Sequence, residues 1–218
     1  MWLFNLNPVA IIFVTGNDTG VGKTHVCGIL ARHFARRGPT QVIKPVESGV
    51  SVGRSADAPK AAGRWAEAHT FISLPEALAP ISAAARAGQK LSLKKLLSAY
   101  RKLKPAKYQV IEGAGGVAVP LDLQNHDWAD FARAVKPDYV VVVVEDRLGA
   151  INQARLSVAH LAKKYRGRIG VWLNASARRP SATVAQTTRD GLRQAGIHLA
   201  GESAYQGSRG IFHQKFWA

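Results

Sequence analysis

At 218 residues, 47% hydrophobic and 20% charged, the chain has enough apolar side chains for one sizeable α/β core and too few charges for a disordered segment. A formal net charge of +16 would suit a nucleic-acid partner. However, the basic residues are dispersed (Arg32, Arg36 and Arg37; Lys94, Lys95, Arg101, Lys102 and Lys104; Lys163, Lys164, Arg166 and Arg168) with no aromatic interleaving, which reads as solvated helix faces that attract anionic substrates.

Residues 1–8 lack a basic, uninterrupted apolar leader, and no apolar run reaches bilayer length. The lone cysteine, Cys27, excludes an intrachain disulfide and suits a reducing compartment. The expectation is a cytoplasmic protein without a membrane partner. Residues 9–14 read as a buried strand, followed by Gly16-Asn17-Asp18-Thr19-Gly20-Val21-Gly22-Lys23-Thr24 and then a helix on which Val26, Ile29, Leu30 and Phe34 share one face. Strand 40–43 leads into a loop, Lys44-Pro45-Val46-Glu47-Ser48-Gly49. Residues 50–88 read as a helix near 56–68 between irregular loops, and 91–103 as a basic amphipathic helix. Strand 108–111 ends in Glu112-Gly113-Ala114-Gly115-Gly116. Helix 128–135, strand 138–144, helix 151–164, strand 168–173 and helix 182–195 follow, and 203–218 shows no period. Strands alternating with helices predict one domain, residues 1–218, built on a doubly wound, mostly parallel, three-layer sheet of the P-loop NTPase type.

The chemistry gathers at strand ends, where open parallel sheets bind ligands. Gly20 and Gly22 allow backbone N–H groups to approach phosphate oxygens, and the helix start at Lys23 adds its positive dipole end. Lys23 reaches β and γ phosphates, and the Thr24 hydroxyl suits Mg²⁺. Five residues separate Gly16 from Gly22, where the common loop has four. Lys44 is either a second phosphate contact or a surface lysine. Glu112 is either a Mg²⁺ ligand or a carboxylate capping a local turn. Asp57 alone reads as a helix-start acid.

In combination and order, residues 13–24, 44–49, 56–58, 112–116 with Pro120-Leu121, 148–152 and Asn174 resemble the dethiobiotin synthetase family over about residues 11–175. The resemblance implies ATP and Mg²⁺ as cofactors, and 7,8-diaminononanoate and CO₂ as substrates. A carbamate is phosphorylated to a carbamic–phosphoric anhydride, which closes to the cyclic urea. It further implies catalytic roles for Lys23, Lys44, Thr19 and Ser48. Nucleotide contacts fall to Gly20, Val21, Gly22, Lys23, Thr24, His25, Glu112, Gly115 and Asn174, the last at the adenine edge. Mg²⁺ ligation falls to Thr24, Asp57 and Glu112. The family is a homodimer in which Gly149, Ala150, Ile151 and Asn152 of one chain grip the substrate carboxylate of the other. The chain departs from the family at Ile81 after Pro80, at Gln153, at Gly20 and in residues 204–208.

Two other readings share the fold. A switch ATPase binding an acidic partner such as DNA fits the charge, but that class carries a lysine where Asp18 stands. A cobyrinate-type amidotransferase ligase needs a nucleophilic cysteine, and Cys27 sits behind the phosphate loop. A homologue that binds nucleotide without turnover also stays open.

Overall fold

The computed structural model of the chain describes residues 10–177 and 179–218; Val9 and the stretch 1–8 discussed above lie outside them. The first strand, β1 (Ala10–Gly16), is followed by α1 (Lys23–Ala35) and β2 (Thr40–Ser48). Next come α2 (Asp57–Ala62), β3 (Glu67–Leu74), α3 (Pro80–Arg86), α4 (Leu93–Arg101) and β4 (Tyr108–Glu112). The second half runs α5 (Trp128–Val135), β5 (Tyr139–Glu145), α6 (Ala150–Ala162), β6 (Arg168–Asn174), α7 (Ala182–Gln194), β7 (Leu199–Ser203), β8 (Gly210–Phe212) and α8 (Gln214–Trp217). Among the described residues the strands form one eight-stranded sheet in the order β3-β2-β4-β1-β5-β6-β7-β8. All neighbours are parallel except β7 and β8. The doubly wound class therefore holds, with an antiparallel edge hairpin.

The strands sort their side chains by a period of two between the two faces. Ile12, Val14, Val141 and Val143 pack on α1, α2 and α8, while Phe13, Val140, Val142 and Val144 pack on the opposite helix layer. Phe13 lies against Trp128 and Phe131, with ring centroids 5.9 and 5.5 Å away, so α5 is pinned beneath β1. Asp127 caps α5 and forms a reciprocal capping box with Asp130. Residues buried on both faces explain why the central strands read as continuous apolar runs.

Three sequence expectations are corrected. The helix read over 56–68 ends at Ala62, because Gly63 turns the chain at φ 51°, and residues 67–74 form an edge strand. Within the supposed loops of 50–88 a further helix, α3, starts at Pro80, the position where a missing N–H costs nothing. Residues 44–48, expected as a loop, continue β2. Pro45 is tolerated there because pairing with β4 ends at Ile43, while pairing with β3 resumes at Val46. In residues 203–218, which show no period in the sequence, Ser203 ends β7, and β8 and α8 follow. Gly201 and Gly210 make this ending fit, since a Cβ on either would lie within 2.5 Å of the Trp172 ring.

Candidate active site

β1 lies at the centre of the order, with α1 leading to one side and β5 beginning the other, so the crevice opens at the carboxyl ends of β1, β2 and β4. A cleft of about 1010 Å³ occupies this edge. Its floor is the phosphate loop. Gly20 and Gly22 have φ of 78° and 92°, a left-handed backbone open to glycine and costly for other residues. A Cβ on Gly22 would lie 2.1 Å from the Asn174 amide, whereas at Gly20 the space is open. The first turn of α1 has neither a side-chain cap nor an acidic residue, so its N–H groups remain available to an anion.

Lys23 is 7% exposed, and its Nζ donates to the Asp18 carbonyl at 2.7 Å. Burial, aided by the Lys44 charge, lowers its pKa to about 8. Lys44, 3% exposed, bridges two carboxylates, with Nζ 2.8 Å from Asp57 Oδ2 and 2.6 Å from Glu112 Oε1. Burial opposes its charge, but Glu112 and Asp57 outweigh it and raise its pKa. Glu112 in turn accepts from the Thr24 hydroxyl at 2.8 Å. Burial pushes its carboxyl upward against the pull of Lys44. The alternatives left open by the sequence are thereby narrowed: Lys44 is buried in the cleft wall, and Glu112 belongs to the same polar cluster.

The donor set suits a hard divalent cation. Thr24, Asp57 and Glu112 converge through Lys44 and Thr24, and Glu112 Oε2 is buried without a hydrogen-bond partner among the described residues. An oxygen in that condition is costly unless it meets a cation or water. Ser48 Oγ is likewise buried and unpartnered, and both Ser48 and Thr19 line the cleft. His25 and Gly115 also line it; burial lowers the His25 pKa.

Val21, Asn174 and the turn before α6 complete the expected contacts. Val21 turns its side chain into the core, leaving only its backbone to the loop. Asn174 is buried behind the loop, where its Nδ2 donates to the Val21 carbonyl at 2.8 Å and its Oδ1 accepts from Ser203 Oγ at 2.6 Å. Its amide holds the loop from behind, so one donor and the carbonyl are already engaged. In the turn before α6, the Ala150 N–H donates to Arg147 O at 3.0 Å, which leaves Gly149, Ile151 and the exposed Asn152 as the donors of that segment. None of the four lines the cleft of its own chain.

One residue of the cleft carried no role in the sequence reading. Glu47 is 3% exposed, and its carboxylate accepts from Ser55 Oγ at 2.7 Å, Ala56 N at 3.0 Å and Asp57 N at 2.8 Å. Cys27 is wholly buried, with burial raising its pKa, and is no nucleophile.

Comparison with known proteins matches this geometry. The AAA domain family profile matches residues 11–199. The ATP-dependent dethiobiotin synthetase of Xanthomonas campestris is 42% identical over 161 residues, 69% of this chain and 71% of that protein. The dethiobiotin synthetase of Corynebacterium diphtheriae is 33% identical over 215 residues, 94% of this chain and 95% of that protein. Among solved structures, a plasmid partition protein from Borrelia burgdorferi superposes with a TM-score of 0.59 over 90% of each chain at 14% identity, which speaks for the fold alone. With its phosphate loop, its Lys44-bridged carboxylates and these relatives, the chain belongs to the ATP-dependent dethiobiotin synthetase family.

Proposed function

We propose that this chain works in the cytoplasm to close the cyclic urea of dethiobiotin from 7,8-diaminononanoate and CO₂ at the expense of ATP. The observation that carries the proposal is Lys44: a buried cation held by Asp57 and Glu112 and facing the phosphate loop across the same cleft. A carbamate formed from one amine and CO₂ attacks the γ-phosphorus through oxygen, and ADP leaves. The second amine then attacks the carbamic carbon, the ring closes and inorganic phosphate leaves. Lys23, Lys44 and the α1 N-terminus neutralise charge spreading over the transferred phosphoryl group, so positioning and electrostatics supply the catalysis. Thr19 and the Ser48 hydroxyl, which line the cleft and of which the latter has no hydrogen-bond partner among the described residues, would orient the carbamate. Thr24, Asp57 and Glu112 would hold Mg²⁺, which would supply charge neutralisation to the nucleotide phosphates.

The carboxylate end of the diamine would be held by Gly149, Ile151 and Asn152 of a second copy. Leu148 and Leu156, 82% and 65% exposed, give that segment an apolar border suited to a homodimer. Asn174, expected at the adenine edge, would support the loop instead, and base contacts would fall to the neighbourhood of His25 and Ser208 on the cleft wall. The test is phosphate release from Mg-ATP with bicarbonate, with and without the diamine. Release that requires the diamine supports the reading. Release indifferent to the diamine and stimulated by DNA would move the chain to the switch ATPases.

A further inference from the structure

We propose that Glu47 is a positioning residue that sets Asp57 for the metal and for Lys44, an inference that rests on the reading above. β2 makes this reach available. Ile43 and Val46 both pack into the same core cluster, so the strict alternation slips at Pro45. Lys44 and Glu47, three residues apart, thereby both extend toward α2. There α2 has no cap of its own: Ala56 occupies the N-cap position and offers no side-chain acceptor. The Glu47 carboxylate takes that place from outside the helix. Oε1 accepts from Ala56 N and Asp57 N, and Oε2 accepts from Ser55 Oγ, which itself accepts from Thr70 at 2.7 Å.

The consequence falls on Asp57. Its backbone N–H is fixed by Glu47 while its side chain meets Lys44 at 2.8 Å. The Asp57 side chain is about one-third exposed, whereas Glu112 is buried. Core packing therefore locates Glu112, and Asp57 depends on the Glu47 tether. Ser55 and Thr70 anchor the tether to β3, so the metal-facing carboxylate is referred to the sheet rather than to a surface loop. Groups that orient metal ligands in this manner change metal affinity by about 10–100-fold when removed.

The test uses the full chain and Mn²⁺ as the metal probe, with water-proton relaxation in the presence of a non-hydrolysable ATP analogue. Because this assay needs no turnover of the diamine, its result is independent of the synthetase reading. Glu47→Ala is expected to weaken Mn²⁺ binding about tenfold and to leave metal-free binding of the analogue within about twofold. Glu47→Gln keeps an acceptor for Ala56 and Asp57, with Ser55 Oγ accepting instead of donating, and is expected to restore binding to within about threefold. The double variant Glu47→Ala/Asp57→Ala is expected to bind no more weakly than Asp57→Ala, because Glu47 acts through Asp57. Should Glu47→Ala fail to fold, Ser55→Ala provides the measure, with an expected loss of about threefold. Mn²⁺ affinity unchanged in the folded variants, or additive losses in the double variant, would overturn the proposal.

Discussion

Lys23 is paid for in stability, and the debt is measurable. It is 7% exposed and its pKa is lowered from 10.5 to about 8, first by burial and then by Lys44. At about 1.4 kcal/mol per tenfold change in proton affinity, the folded chain at pH 7 carries a penalty of about 3 kcal/mol at this residue. Lys23→Met removes the penalty and keeps most of the apolar stem, at the loss of the hydrogen bond to the Asp18 carbonyl, worth about 1 kcal/mol. The variant should thus be more stable by about 2 kcal/mol at pH 7, or roughly 5 °C for a domain of this size. The pH dependence identifies the cause. Between pH 8 and 10.5 the unfolded chain binds more protons at this lysine than the folded chain, so the parent gains stability as pH rises through that window. By pH 9.5 the advantage of the variant should have shrunk by about 2 kcal/mol. Urea unfolding of both proteins at pH 7 and 9.5, with nucleotide binding measured alongside, checks this. A variant less stable than its parent at pH 7, or an advantage that does not change with pH, would refute the reasoning.

Lys44→Ala leaves Glu112, 1% exposed, with Thr24 as its remaining side-chain partner. It should lower stability by about 3 kcal/mol in urea unfolding and diamine-dependent phosphate release by at least about a hundredfold. Gly22→Ala meets both a left-handed backbone and the Asn174 amide, whereas Gly20→Ala meets the backbone strain alone. Titration with a fluorescent ATP analogue should therefore show loss of binding for Gly22→Ala, and a stability cost of only about 1–2 kcal/mol for Gly20→Ala. Asn174→Ala frees the Val21 carbonyl and Ser203 Oγ. It should cost about 1–3 kcal/mol of stability and speed amide exchange in residues 20–22, with equal weakening of ATP and CTP binding. Selective loss of ATP affinity would instead make Asn174 a reader of the base.

The parts of the fold legible in the sequence are those where one rule acts alone. Phe13-Val14 before a glycine-rich turn, and Val140 through Val144, are buried on both faces, so their apolar runs read directly as central strands. α5 was bounded correctly at 128–135 because Asp127 caps it and Lys136 ends it in a left-handed turn. The edge strand β3 and the penultimate strand β7 are hidden for other reasons. β3 is half exposed, carries Glu67, His69 and Ser73, and follows an alanine-rich helix whose pattern runs on into it. β7 contains Gly201, a poor strand former required by the Trp172 ring.

Lys23 and Thr24 stand out in the sequence because the glycine-rich turn passes into α1 there, and Glu112 because it ends β4, whereas Lys44, read at a strand end, lies inside β2. Asp57 looked like an ordinary helix-start acid, because the Lys44 contact that joins it to the site spans separate elements. Glu47 was overlooked although it stands in the same short stretch as Lys44. The signal was Pro45: a proline inside an apolar strand marks a break in alternation, after which the next polar side chains change face. Asn174 is assigned to the adenine edge only through the family resemblance, and its contacts with the Val21 carbonyl and Ser203 Oγ become visible only in the packing.

The central claim is that this cleft couples ATP cleavage to urea formation, and the most direct measurement follows the carbon. The chain would be given Mg-ATP, 7,8-diaminononanoate and ¹³C-bicarbonate, with product mass and ADP quantified together. One labelled carbon per dethiobiotin formed, with one ADP per product and neither in Lys44→Ala, is the predicted result. ADP formed without labelled product, or labelled product formed at full rate without Lys44, would contradict it.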